Sequence, residues 1–157
     1  ALIGRDNART PMQWDASKYA GFTAPDAPVE PWISVNPNHV EINAAEEFDD
    51  PDSVYTFYKK LIAMRHNSAT ISTGEWHLLA ADSDQVYAFT RTNGDDTILV
   101  VVNLTDRSAA LPSDVAELLS DGVNESQVLL STYDAMHSVK SIARGELARW
   151  EGVVIQL

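Results

Sequence analysis

The chain has no cysteine among its 157 residues. That excludes a disulfide framework and any thiolate metal site, and it fits a reducing compartment, so a cytoplasmic location is expected. Basic residues are scarce, with 11 Lys and Arg against 23 Asp and Glu and a formal net charge of -12. A protein that grips phosphates needs a basic face, so nucleic acid is not expected as a partner, and neither is an anionic membrane surface. Long apolar runs are missing too. The longest, Ile98-Leu99-Val100-Val101-Val102, is far short of the roughly 20 residues that span a bilayer. No Gly-x-Ser-x-Gly elbow and no phosphate-cradling glycine loop occurs. The histidines at 39, 66, 77 and 137 are scattered without paired spacing, so neither a metal nor a cofactor is expected.

What is present is a globular composition, 45% hydrophobic, on a chain long enough to bury a core of its own. The densest chemistry lies in Arg5-Asp6-Asn7-Ala8-Arg9-Thr10-Pro11-Met12-Gln13-Trp14-Asp15. A guanidinium presents five donors in a plane and forks across two neighbouring oxygens, as sugar hydroxyls are placed. A carboxylate beside it orients the fork or accepts from a hydroxyl. A Trp face suits the C–H face of a pyranose. The same residues also make an ordinary surface loop held by ion pairs, since Asn7 and Pro11 are loop formers. Almost nothing precedes the segment, so the chain reads as the tail of an enzyme.

Residues 1–48 hold five of the seven prolines and little periodicity. Only Ile42–Phe48 suggests a short helical turn. A clear helix follows, with Asp50 as its expected N-cap, Pro51 at the first position and Asp52 favouring the positive dipole end. Val54, Phe57, Tyr58, Leu61 and Ile62 form its apolar stripe, Lys59, Lys60, Arg65 and His66 lie toward its carbonyl end, and it should stop near Asn67. From Gly74 the pattern turns to strands, at Glu75–Ala80, Val86–Thr92 and Thr97–Leu104, with Asn93-Gly94-Asp95-Asp96 as a hairpin turn. Thr97–Leu104 is apolar on both faces and so central. Shorter strands are expected at Ala109–Leu111, Val115–Leu119, Gln127–Leu130 and Val153–Leu157. Tyr133–Arg149 reads as a loop or displaced strand. The fold class is mainly β with an N-terminal α segment, and the β part is expected to be an antiparallel sandwich. Trp76 and Trp150 are expected in its core or an interface. The triplets Asn103-Leu104-Thr105 and Asn124-Glu125-Ser126 match the glycosylation pattern by coincidence.

The segment Arg5–Asp15 resembles the signature of family 13 α-glucosidases of the oligo-1,6-glucosidase type. The resemblance runs on through Ala20-Gly21-Phe22-Thr23, Pro31-Trp32-Ile33-Ser34-Val35-Asn36-Pro37-Asn38, Glu41-Ile42-Asn43, Asp52-Ser53 and Phe57-Tyr58-Lys59-Lys60-Leu61-Ile62. It implies the C-terminal part of a (β/α)8-barrel enzyme. Residues 1–66 would be the last loop and last helix of the barrel, 67–73 a connector, and 74–157 the C-terminal antiparallel β-sandwich domain. Members cleave terminal α-glucosidic bonds of short oligosaccharides with retention, which needs two carboxyls roughly 5 Å apart. In the family both stand on barrel strands upstream of the signature. No catalytic residue is therefore assigned here, and the isolated chain is expected to be inactive. The resemblance makes Arg5 the substrate-binding residue, its fork on the 4-hydroxyl of the terminal glucose of an α-glucoside. Asp6 and Arg9 would lock the loop, and Gln13 and Trp14 would be structural. A sucrose isomerase or other transglycosylating relative is the nearest alternative. Those often carry Ser and Phe where this chain has Ala8 and Met12, which favours the hydrolase. A non-catalytic carbohydrate-binding or packing module is the third. Apolar surface left bare by truncation should pair in a dimer.

Overall fold

The computed structural model describes residues 5–157, with the side chains of Arg5 and Asn7 outside the described part. Two compact units are formed, Ala1–Lys60 and Leu61–Leu157.

The first unit is the irregular, proline-rich segment read from the sequence. Single 3-10 turns at Arg5–Ala8, Lys18–Gly21 and Pro37–Val40 precede a short helix, α1 (Ala44–Asp49). Asn43 caps α1, its side-chain oxygen accepting from Glu46 N at 3.1 Å. The next helix, α2 (Val54–Asn67), starts later than Asp50 and Pro51 suggest. Asp50 instead accepts from Asp52 N at 2.9 Å and closes a preliminary turn. The cap is Ser53, whose hydroxyl accepts from Thr56 N at 3.1 Å and donates to Glu47 O at 2.7 Å. A hydroxyl can both cap a helix and donate to the preceding chain, which a carboxylate cannot. The boundary between the two units falls within α2. None of its residues is buried, and Val54, Tyr58 and Ile62 are 67%, 61% and 53% exposed.

The second unit opens with helix α3 (Ala69–Thr73), followed by strands β1 (Glu75–Leu79), β2 (Val86–Asn93), β3 (Asp96–Asn103) and β4 (Ala109–Ala110). Helix α4 (Ser113–Leu118), strand β5 (Val128–Ser131), helix α5 (Ala135–Ala143) and strands β6 (Glu146–Leu147) and β7 (Gly152–Gln156) complete it. The main sheet has the order β1-β2-β3-β7-β5 and is antiparallel throughout. The hairpin is the one the sequence indicates. Asn93 pairs with Asp96 around Gly94-Asp95, and Gly94 takes the left-handed φ of +62° that such a turn requires. β3 lies in the middle of the sheet, with Leu99 and Val101 fully buried. One sheet face carries the core, where Ala88, Leu99, Val101, Val153 and Ile155 meet Ala109, Val115, Ile142 and Leu147.

The opposing layer is where sequence expectation and structure part. It is a two-stranded β4–β6 ribbon flanked by α4 and α5. Val115–Leu119 was expected as a strand, but most of it is helical. Pro112 and Ser113 start α4, and Val115 and Leu119, four apart, both face the core. Tyr133–Arg149, expected as a loop or displaced strand, contains α5 and β6. Asp134 caps α5 by accepting from His137 N at 2.7 Å. Its inward face, Ser138, Ser141 and Ile142, keeps helical spacing but is mostly serine. Periodicity of apolar residues is therefore weak there, although the side chains are buried. Trp76 and Trp150 are not in the core, being 51% and 58% exposed.

Two buried polar groups hold the layers in register. Glu151 is fully buried and accepts from Ser138 Oγ and Ala148 N, each at 2.7 Å. Asn103, also fully buried, donates to Arg107 O at 2.7 Å and Ala148 O at 2.8 Å. It accepts from Thr105 N at 3.0 Å and Thr105 Oγ1 at 2.7 Å. Both amide hydrogens of Asn103 are in use, so this triplet cannot carry a glycan in the folded chain.

Candidate functional site

The site candidates lie in the first unit, and backbone hydrogen bonds knit the scattered sequence blocks together. Trp14 N donates to Ala20 O at 2.9 Å, joining the Arg5–Asp15 segment to the Ala20–Thr23 block. Gln13 O accepts from Ala44 N at 2.9 Å and Trp14 O from Ala45 N at 3.0 Å. The Gln13 side chain donates to Ile42 O. Gln13 and Trp14 thus clamp the segment to the start of α1. Asn43, 3% exposed, donates to His39 O at 2.9 Å while capping α1. Asn36 accepts from Asn38 N at 3.2 Å and starts the Pro37–Val40 turn.

Between Asp15 and Gly21 the chain reverses tightly. Tyr19, Ala20 and Gly21 all take left-handed φ, at 61°, 55° and 65°. Only glycine tolerates this freely, and non-glycine residues held there are strained. Gly21 is needed for a second reason: a Cβ there would lie 2.6 Å from Asp15 Oδ2. The Asp15 carboxylate accepts from both the hydroxyl and the amide of Ser17. These bonds, the hydroxyl's first, hold its carboxyl below the ordinary value of 3.8.

Of the sequence-chosen residues, Arg5 opens the first turn, but its side chain lies outside the described part. Asp6 accepts from Arg9 N through its carbonyl at 3.0 Å. The Arg9 guanidinium stands over the Trp32 ring, 5.7 Å from its centroid, a cation–π contact that draws in a residue not singled out as a site candidate. Two open recesses follow from this packing. One, about 340 Å³, is lined by Arg9, Phe22, Val29, Glu30 and Trp32. The other, about 310 Å³, is lined by Pro11, Gln13, Asn43, Glu47 and Tyr55. Glu30 and Glu47 lie in different recesses, and Glu47 already accepts from Tyr55 N at 3.1 Å. These two recesses offer donors, aromatic faces and one carboxylate each. Among the described residues no group of three or more His, Asp or Glu is placed to hold a metal ion. Sequence reasoning did not single out Asn43 as a cap, yet Asn43-x-x-Glu46 has the spacing of a capping motif.

Residues 1–74 match the α-amylase catalytic-domain family, and residues 76–121 match the maltogenic amylase C-terminal domain. The chain is 38% identical over 156 residues to an oligo-1,6-glucosidase of Parageobacillus thermoglucosidasius, covering 98% of this chain and 26% of that protein. It is 44% identical over 110 residues to a glucan 1,6-alpha-glucosidase of Streptococcus pneumoniae, 70% of this chain and 20% of that one. Among solved structures, the trehalulose synthase of Pseudomonas mesoacidophila superposes with a TM-score of 0.74 at 38% identity, over 98% of this chain and 26% of that one. The chain thus belongs to the α-amylase family, family 13, from the end of the catalytic domain into the C-terminal domain. It is similar to oligo-1,6-glucosidases and spans about a quarter of the length of those relatives.

Proposed function

We propose that the whole protein containing this chain is a retaining α-glucosidase that removes terminal glucose from short α-1,6-linked oligosaccharides. Residues 5–48 form the last loop of its barrel and one side of the glucose pocket. The helix through residue 66 is the last barrel helix, 67–73 a connector, and 74–157 the C-terminal antiparallel β-sandwich domain. Arg5 forks onto the 4-hydroxyl of the terminal glucose and so blocks longer chains from passing. The nucleophile and acid come from outside this chain, which alone does not turn over substrate. What carries the proposal is the clamp at Gln13 and Trp14. It ties three blocks of the glucosidase-like sequence into one built surface at the segment that starts with Arg5.

The test is glucose release from isomaltose by the full-length protein and by this chain alone. The first should be active and the second inert. Arg5→Ala in the full-length protein should lower kcat/KM about 100-fold, the order of a lost charged hydrogen bond in a desolvated pocket. Turnover by the isolated chain, or no effect of Arg5→Ala, refutes the assignment. The likeness to a trehalulose synthase supports one second reading, sucrose isomerisation. Isomeric disaccharide made from sucrose in place of glucose from isomaltose would select it.

A further inference from the structure

The β2–β3 turn sets one reactive pair of residues apart from the rest of the second unit. Asn93 ends β2, Gly94 and Asp95 make the turn, and Asp96 opens β3. All of them are exposed. An asparagine carboxamide is open to attack by the backbone nitrogen of the next residue, which closes a cyclic imide. A fold prevents this by holding the carboxamide in hydrogen bonds, by engaging the next amide, or by placing a bulky side chain after the asparagine. None of these protects Asn93. Among the described residues its side chain makes no hydrogen bond, and the Gly94 amide donates none. A Cβ built at Gly94 would meet no heavy atom within 4 Å, so the turn is open around the attacking nitrogen.

Other positions in the unit show the contrast. Asn103 is fully buried, and both of its amide hydrogens are donated, to Arg107 O and Ala148 O. Asp121-Gly122 has a similar reactive sequence, but the Gly122 amide donates to Leu119 O at 3.0 Å. We propose that Asn93 is a site of spontaneous covalent modification, at which the Gly94 nitrogen displaces ammonia and water opens the resulting succinimide to aspartate or isoaspartate. The Gly94 nitrogen gives its proton to hydroxide and bonds to Asn93 Cγ. The Cγ–Nδ2 bond breaks and the side-chain nitrogen leaves as ammonia. Water then cleaves the imide at Cγ, which leaves aspartate, or at the main-chain carbonyl carbon, which leaves isoaspartate. The only co-reactant is water. Isoaspartate routes the main chain through Cβ and Cγ, one methylene longer, and so upsets the pairing of residue 93 with Asp96. That matters because Asp96 ties elements together, its carboxylate accepting from Thr70 Oγ1 of α3 and from Gln156 Nε2 of β7 at 2.6 Å. The modification is a one-way loosening of this end of the sheet. It rests on the second unit alone and stands or falls independently of the glucosidase assignment.

The test incubates the folded full-length protein at mildly alkaline pH and follows tryptic peptide 92–107 by fragment-ion mass spectrometry. That peptide carries both Asn93 and Asn103, so the buried residue is the internal reference. The mass change of an amide converted to an acid should accumulate at Asn93 and not at Asn103, at a rate proportional to hydroxide. The product should accept a methyl group from an isoaspartyl methyltransferase, and Asn93→Ser should abolish that uptake. The same incubation of the urea-unfolded protein gives the unprotected rate. A reaction that needed global unfolding would be slower in the folded protein on the order of 10³-fold or more. Conversion at Asn93 in the folded protein within about 100-fold of the unprotected rate is the expected result. A folded rate slower than that overturns the proposal, as does methyl uptake by this peptide that survives Asn93→Ser.

Discussion

Replacing Asn103 by Ala tests the account of the second unit most directly. The substitution removes four hydrogen bonds at a fully buried position. The losses are not equal. Arg107 O keeps a bond from Thr105 Oγ1 at 3.0 Å, and Ala148 O keeps one from Glu151 N at 3.2 Å. Thr105 N has Asn103 Oδ1 as its acceptor and is left bare. Two bonds lost from carbonyls that remain paired cost about 1 kcal/mol each, and an orphaned amide costs about 1–3 kcal/mol. The sum is about 3–5 kcal/mol. With a urea slope of about 2 kcal/mol/M, the unfolding midpoint should fall by about 1.5–2.5 M. The measurement is a urea titration followed through the amide signals of β2, β3 and β7, which report this unit and not the first. Asn103→Asp keeps the acceptor but turns a carboxylate toward two carbonyl oxygens, so it should cost at least as much. Leu104→Ala, at a 59% exposed neighbour, should shift the midpoint little. A fall of less than about 0.5 M for Asn103→Ala would refute the claim that this side chain joins the layers.

Gly21→Ala should cost about 1–3 kcal/mol through its left-handed φ alone, with the clash against Asp15 added. Slowed exchange at the Trp14 amide should be lost, and unchanged protection there would count against the tight reversal. The Asp15 carboxyl should titrate below 3.8, because Ser17 binds its charged form. A depressed folded-state value stabilises above the unfolded value, and the contribution is lost as pH falls through the folded one. Ser17→Ala should move the midpoint back up, as read by carboxyl carbon shifts, and an unmoved midpoint refutes the cause. The exposed stripe of Val54, Tyr58 and Ile62 should make the chain dimerise in solution. Light scattering should give twice the monomer mass and the Val54→Glu/Ile62→Glu pair one monomer, while a monomeric parent would refute the pairing.

How far the sequence could be read depended on how local each signal was. The β2–β3 hairpin was legible because alternation in Val86–Thr92 and the Asn93-Gly94 turn lie side by side. β3 was legible as central because both of its faces are apolar. α4 and α5 were not, since their inward positions are few or serine, and a buried serine looks like a surface residue in a composition window. Ser53 was passed over as a cap because Asp50-Pro51 presents a stronger local pattern. At the site, the blocks themselves could be picked out, but their pairing could not. The bonds from Ala44 and Ala45 to Gln13 and Trp14 join residues some thirty positions apart through backbone atoms, which every residue possesses equally.

The sheet order has a consequence for biosynthesis. β7, which follows both in the chain, lies between β3 and β5. On a ribosome adding about 5–20 residues per second, the earlier strands emerge with the row of β3 hydrogen-bonding groups meant for β7 still unfilled. Until residue 156 is clear of the exit, Val101 and Leu99 border an open sheet edge that invites intermolecular pairing. A nascent-chain arrest placed just before β7 should therefore yield a protease-sensitive, chaperone-bound species, and release of that one segment should convert it abruptly to a resistant domain.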